Sequence, residues 1–277
     1  MSARTIALWQ ATCGVDPERN AKRLTEVVAK AAGQGASILF TPEMTNLVDR
    51  DRARASGWIT HEADDVVVRA ARQAAARHRV AIALGSVAVR REGSERFVNR
   101  SLFIDEAGEV RARYDKLHLF DVALGSGDDW RESTAYAPGN CAVVVEWDDQ
   151  RWGLSICYDL RFPALYQALS GAGATVLAVP AAFTRPTGEA HWATLLRARA
   201  IENAAFVVAA AQTGCHEDGR RTWGHSTVVS PWGEVLLDMG EGEGVGVVTI
   251  DSDEGVAARG RIDVLAHRRV IPPVVVS

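Results

Sequence analysis

Three apolar, strand-like runs in this chain of 277 residues each end on a residue able to do chemistry. Ser37-Ile38-Leu39-Phe40 leads into Thr41-Pro42-Glu43, residues 110–114 lead into Asp115-Lys116-Leu117-His118, and Gly153-Leu154-Ser155-Ile156 leads into Cys157-Tyr158-Asp159. In α/β architectures sites assemble at the carboxyl ends of strands, so a carboxylate, an ammonium and a thiol can converge there. A thiol is a weak nucleophile until a neighbouring carboxylate accepts its proton or a cation lowers its pKa. A lysine at the same point stabilises the oxyanion formed when sulfur attacks an amide or nitrile carbon. Glu43 can then protonate departing ammonia and activate the hydrolytic water. Each residue alone has a plainer reading: a small core cysteine, a solvated turn glutamate, a surface lysine. Only the constellation points to catalysis.

The elements that must position these residues follow from local signals. A strand over 4–11 precedes Asp16-Pro17-Glu18, where Asp16 caps a helix that Pro17 begins and that runs to about residue 32. Gly33 and Gly35 end it, and 36–40 reads as a short buried strand. A second helix is expected from Thr60 to about Arg79, with acids in its first turn and arginines later. Strands then follow at 80–89, 97–105 and 109–114, the last two joined across Ala107-Gly108. The second half repeats this grammar, with strands at 142–147, 152–156, 175–179, 205–211, 225–230, 234–238 and 245–250. Its helices fall at 163–169 and 188–203. Strands interleaved with helices give an α/β or layered α+β architecture. Propensity does not separate one doubly wound sheet from two sheets packed face to face.

Composition narrows the function classes. With 47% hydrophobic and 24% charged residues the chain has an ordinary globular balance. The absence of linker-like stretches and of repeats gives one domain over 1–277. Its net charge of -4, without blocks of one sign, argues against nucleic acid or an anionic membrane as partner. No apolar run approaches the ~20 residues of a membrane span and the start lacks a leader pattern, so a cytoplasmic location is expected. Cys13, Cys141, Cys157 and Cys215 are too widely spaced for a metal knuckle or a disulfide framework, and reduced thiols are expected. Neither His-Glu-x-x-His nor a carboxylate cluster at ligand spacing occurs, so no metal and no cofactor is expected. His118, His191 and His225 are read as hydrogen-bonded structural residues.

Phe40-Thr41-Pro42-Glu43, the run 114–121 (Tyr-Asp-Lys-Leu-His-Leu-Phe-Asp) and the run 156–163 (Ile-Cys-Tyr-Asp-Leu-Arg-Phe-Pro) resemble the three signature segments of the nitrilase, or carbon-nitrogen hydrolase, superfamily, in order and spacing. The resemblance extends through Pro138-Gly139, residues 188–192, 197–203 and 223–226, and covers nearly the whole chain. It implies a four-layer αββα sandwich, a homodimer or higher homo-oligomer, and a cysteine-dependent amidase acting on a small-molecule amide through an acyl-enzyme. Catalytic residues of the family map onto Glu43, Lys116 and Cys157, and a second glutamate that orients the lysine maps onto Glu132. The oxyanion donors would be Lys116 and the Tyr158 backbone amide.

Within the superfamily the chain is most similar to the branch holding deaminated glutathione amidase and ω-amidase, whose substrates carry a distal α-keto acid. Arg161 is then the candidate for the carboxylate, with a structural pair to Asp159 or another nearby acid as its alternative. Phe183 and Thr187 fall where the family lines its pocket. The 209–225 region leans toward the deaminated glutathione amidase side, while the 122–131 loop, expected to border the site, matches neither. A nitrilase, an N-carbamoyl amino-acid hydrolase and a catalytically silent binding protein remain as alternatives.

Overall fold

The computed structural model describes residues 3–122 and 130–276, so 123–129 of the loop expected beside the site lie outside the described residues. The first half of the chain runs β1 (Ala3–Gln10), α1 (Pro17–Gly33), β2 (Ile38–Phe40), α2 (Arg52–Trp58), α3 (Val66–His78), β3 (Ala81–Arg90), β4 (Phe97–Ile104) and β5 (Val110–Asp115). Two short strands, β6 (Asp121–Val122) and β7 (Trp130–Arg131), pair before the second half. There follow β8 (Val143–Trp147), β9 (Gln150–Leu154), α4 (Pro163–Gly171), β10 (Val176–Ala178) and α5 (Arg185–Asn203). The chain closes with β11 (Phe206–Ala209), β12 (Thr213–Cys215), β13 (Arg221–Trp223), β14 (Thr227–Val229), β15 (Val235–Asp238), β16 (Gly244–Asp251) and α6 (Ser252–Arg261).

These strands form two six-stranded sheets, ordered β16-β1-β2-β3-β4-β5 and β15-β14-β11-β10-β9-β8. Side chains alternate across a strand, and that alternation builds the layers. In the first sheet Ala7, Trp9, Leu39, Ile82 and Leu84 join Leu24 and Val28 of α1 and Val67 and Ala71 of α3 in one apolar core. Ile6, Leu8, Ile38 and Phe40 point the other way, into a second core shared with Trp152, Leu154, Val176 and Phe206 of the second sheet. Phe40 meets Trp152 at 5.8 Å and Phe103 meets Trp147 at 5.6 Å between ring centroids, so the sheets pack face to face. Leu169 of α4 and Trp192 and Leu196 of α5 extend the same core outside the second sheet. The result is the αββα sandwich, and it resolves the choice that propensity left open.

Element ends shift for identifiable reasons. The helix expected from Thr60 begins at Val66, because the buried Asp65 carboxylate accepts the Val67 and Val68 amides and so defines the first turn. Helix α5 starts three residues earlier than expected, at Arg185, with Pro186 in its first turn. The sequence reading omitted α2, α6 and the β12–β13 hairpin. Helix α2 is seven residues long, and α6 carries Gly255 and Gly260, so neither shows an apolar period strong enough to register.

Candidate active site

Gly85 of β3 lets the turn after β2 sit close: a Cβ there would lie 2.0 Å from the Thr41 carbonyl oxygen and 2.6 Å from Pro180. That approach brings the end of the first sheet against the second. The turn is then tied in place, with the Met44 amide donating to Ser86 Oγ (2.9 Å) and the Thr45 amide to the Ser86 carbonyl (2.8 Å). Gln212 Nε2 holds the Glu43 carbonyl at 2.9 Å, while its Oε1 accepts the Cys13 amide at 3.0 Å. Glu43 is only 5% exposed.

Lys116 follows β5 and is 2% exposed. Its ammonium donates to Glu43 Oε1 at 2.8 Å and to Glu132 Oε2 at 3.0 Å. Glu132, on a short 3-10 turn after β7, is fixed by the Phe120 amide at 2.7 Å. Burial would lower the Lys116 pKa, but Glu132 and Glu43 together hold it well above its usual value, so the residue is a permanent cation. Asn99 of β4 binds both carboxylates through Nδ2, at 3.0 Å to Glu43 and 3.3 Å to Glu132, and its buried Oδ1 has no partner among the described residues. Sequence reasoning missed Asn99. An asparagine in a strand flanked by Phe97-Val98, against its low β-propensity, was the available signal.

Cys157 stands on a sharp turn between β9 and the 3-10 helix Cys157–Arg161, with a left-handed φ of 49°. Such a backbone costs a non-glycine residue of order 1–3 kcal/mol and is kept only where the surroundings impose it. Here the Cys157 amide donates to the Pro180 carbonyl at 2.8 Å. Asp159, fully buried, accepts from the Ile156 amide (2.9 Å), the Tyr114 hydroxyl (2.6 Å) and the His118 amide (3.0 Å) and ring (2.7 Å). Arg199 clamps the Leu160 carbonyl with two nitrogens at 2.7 and 3.0 Å. The alternative pairing of Asp159 with Arg161 is therefore not the arrangement found: Asp159 is engaged by Tyr114, His118 and Ile156. Tyr114, Asp159 and Arg199 were also missed as supports of this turn, since only the fold brings residues 114 and 199 to it.

Burial, then the charge of Glu43, push the Cys157 thiol well above its ordinary pKa, while Lys116 pulls the other way. The resting arrangement thus holds one ammonium, two carboxylates and a neutral thiol. A thiolate would add a further anion beside Glu43. The geometry can transfer the thiol proton to Glu43 as sulfur attacks, rather than store a thiolate beforehand.

Glu43, Lys116, Cys157 and Glu132 line one open cavity together with all four expected substrate residues, Tyr158, Arg161, Phe183 and Thr187. Its empty space, open mouth included, is about 1140 Å³. Tyr158 packs edge-on against Phe120 and Phe162, at 5.1 and 5.3 Å between centroids. Arg161 lies over Phe183 (5.4 Å) and Tyr158 (6.0 Å), with Nη1 at 3.2 Å from His191 Nδ1. The Thr187 and Thr184 hydroxyls share a hydrogen bond of 2.8 Å. His225 reaches Asp238 at 3.0 Å, so the three histidines read as structural are each hydrogen-bonded. Arg50, Arg52, Arg131 and Arg220 also line the cavity, against Asp49 as the carboxylate outside the Glu43–Lys116–Glu132 cluster among the described residues.

Cys13, beneath the Glu43 turn, is a free, fully buried thiol that burial pushes up from 9.0 to about 11, the Gln212 hydrogen bond opposing. The folded state therefore holds this proton more tightly than the unfolded chain. The stability it contributes is complete below pH 9 and is lost as pH rises through 11, about 3 kcal/mol at most at 1.36 kcal/mol per unit. Urea unfolding at pH 8 and pH 11 should show wild type losing more stability than Cys13→Ala. An equal loss in both would contradict the buried, protonated thiol.

Comparison with known proteins gives the class. Residues 5–259 match the carbon-nitrogen hydrolase family. The chain belongs to that family and is an enzyme, an amidase of the nitrilase superfamily. It is 38% identical to the deaminated glutathione amidase of Yersinia enterocolitica over 280 residues, 99% of this chain and 96% of that one. The NitFhit protein of C. elegans superposes with a TM-score of 0.89 at 35% identity, over 97% of this chain and 66% of that chain. A mutant of the amidase from Nesterenkonia sp. AN1, with acrylamide added to its active-site cysteine, gives a TM-score of 0.79 at 29% identity, over 94% of this chain and 98% of that chain. No helix among the described residues is long and apolar enough to cross a membrane.

Proposed function

We propose that Cys157, Glu43 and Lys116 hydrolyse a small amide bearing a distal α-keto acid, as in deaminated glutathione. The observation that carries this reading is Lys116 held between two carboxylates in the cavity that Cys157 lines. The Cys157 sulfur attacks the amide carbon as its proton passes to Glu43. The oxyanion is held by Lys116 and the Tyr158 backbone amide. Collapse expels the amine, which takes the proton from Glu43, and leaves a thioester. Water then gives a proton to Glu43 and its oxygen to the acyl carbon, and the departing sulfur recovers the proton. Glu132 and Asn99 keep the Lys116 ammonium and the Glu43 carboxylate in register throughout.

The 38% identity to a deaminated glutathione amidase and the arginine-rich cavity wall support a carboxylate-bearing substrate. Arg161, laid over Phe183 and Tyr158, is assigned the keto-acid carboxylate, which a planar guanidinium can take with two parallel hydrogen bonds. A homodimer is part of the proposal, supported by exposed Trp232, Val235, Ile271 and Val274.

The test is amine release from α-keto-acid amides, simple amides, nitriles and carbamoyl amino acids, by wild type and Arg161→Lys. Wild type should favour the α-keto-acid amides. Arg161→Lys should raise KM for those by about tenfold or more, because the charge stays and the fork is lost. Equal losses on charged and neutral amides, with a lower melting temperature, would remove Arg161 from the binding site.

A further inference from the structure

Arg220 is a largely buried cation whose ion pair with Asp218 leaves its hydrogen-bonding capacity incomplete among the described residues. It lies in the segment between β12 and β13 and lines the cavity that holds Cys157. Its side chain is 14% exposed, and its buried Nε has no hydrogen-bond partner among the described residues. Asp218, 2% exposed, is its nearest acid, but the hydrogen bond between them joins the Arg220 backbone amide to Oδ1 at 2.9 Å. The guanidinium approaches Oδ2 at 3.3 Å, and that oxygen has no hydrogen-bond partner among the described residues. Native interiors seldom leave charged donors in this state, since an unsatisfied buried group keeps the full cost of its lost hydration.

The surroundings favour a planar anion. Arg220 lies over the Trp130 ring at 4.5 Å, and Arg50 lies over the same ring at 5.2 Å. Burial lowers the Arg220 pKa, Asp218 opposes this, and Arg50 adds to it by like-charge repulsion, which an incoming carboxylate would relieve. None of the described contacts of Arg220 is shared with Arg161, whose guanidinium lies over Phe183 and Tyr158 and meets His191. The wall therefore holds two separate arginine stations within one cavity.

We infer that Arg220, on the Trp130 ring beside Arg50, forms a second carboxylate subsite, and that it binds a carboxylate on the leaving amine of the substrate. The inference rests on the proposed reaction, in which Arg161 holds the acyl-side carboxylate. The ligand class is an amide with one carboxylate on each side of the scissile C–N bond. Arg220 is then a specificity residue for the amine half, set apart from the acid–base machinery.

Two probes test this: the distal amide of 2-oxoglutarate with alanine, and the same amide with alaninamide, whose leaving amine is uncharged. Wild type should prefer the first in kcat/KM by about tenfold or more, mostly through KM, and Arg220→Gln should bring the ratio close to one. A ratio that survives in Arg220→Gln, or that is already near one in wild type, overturns the subsite and leaves the proposed reaction standing. Equal losses on both probes with a lowered melting temperature also overturn it, as a structural effect. A wild type that hydrolyses neither probe removes the proposed reaction, and the subsite with it. Should Arg220→Gln fail to fold, competitive inhibition of wild type decides. Alanine should inhibit about tenfold better than alaninamide, and equal inhibition overturns the subsite.

Discussion

Cys157→Ala should release no amine above background from any amide, while its circular dichroism and melting temperature stay at or above those of wild type. The thioester needs sulfur, and Ser155, the nearest aliphatic hydroxyl in sequence, is buried and bonded to the Ala178 carbonyl and to Tyr166. Removing a covalent nucleophile costs about a million-fold where the other groups act only through it, and a loss of at least ten-thousand-fold is expected here. Mass spectrometry with a slow substrate should find the acyl adduct on Cys157 in wild type. The exposed Cys141 and Cys215 should tolerate alanine with little change. Amine release by Cys157→Ala within tenfold of wild type would end the covalent mechanism.

The second large effect is expected at Glu43, where charge and hydrogen-bond polarity are both committed. Oε1 accepts from Lys116 Nζ and from Asn99 Nδ2, and Oε2 accepts from the Ala182 amide at 3.0 Å. Glutamine at this position keeps the shape but must turn an NH₂ toward one set of these donors. It also cannot carry the proton in either half of the reaction. Glu43→Gln should therefore lose acylation and deacylation together, by about ten-thousand-fold in kcat, the upper end for a positioned acid–base residue. Pre-steady-state amine release distinguishes the cases. A full first-turnover burst followed by arrest would mean that Glu43 serves only the thioester hydrolysis and that another group activates the thiol.

The parts of this site legible in the sequence were those in which one short segment carries its own signal. Thr41-Pro42-Glu43, the lysine run and the cysteine run each mark a strand end, and the layer order followed from what they resemble. Asn99, Tyr114, Gln212 and Arg199 were not legible, because their roles arise from contacts across 33 residues or more, as between Asn99 and Glu132 or between Gln212 and Glu43. Arg161 shows the same limit in reverse. Its proximity to Asp159 in sequence suggested an ion pair, yet the turn after Cys157 sends Asp159 inward to Tyr114 and His118 and leaves Arg161 in the cavity. Helix starts slipped where several capping residues lay close together, as at Thr60 and Asp65.

Glu43 and Lys116 stand at the ends of strands in the first sheet, whereas Cys157 ends a strand of the second. Neither half of the chain can assemble the cluster alone, since thiol and carboxylate lie 114 positions apart in the sequence. Closing so long a loop costs more chain entropy than forming a local helix or hairpin. A chain emerging during synthesis therefore keeps its future nucleophile away from its proton acceptor until the two sheets dock. The cluster therefore exists only once the two sheets have docked, and an activity measurement during refolding should report that docking.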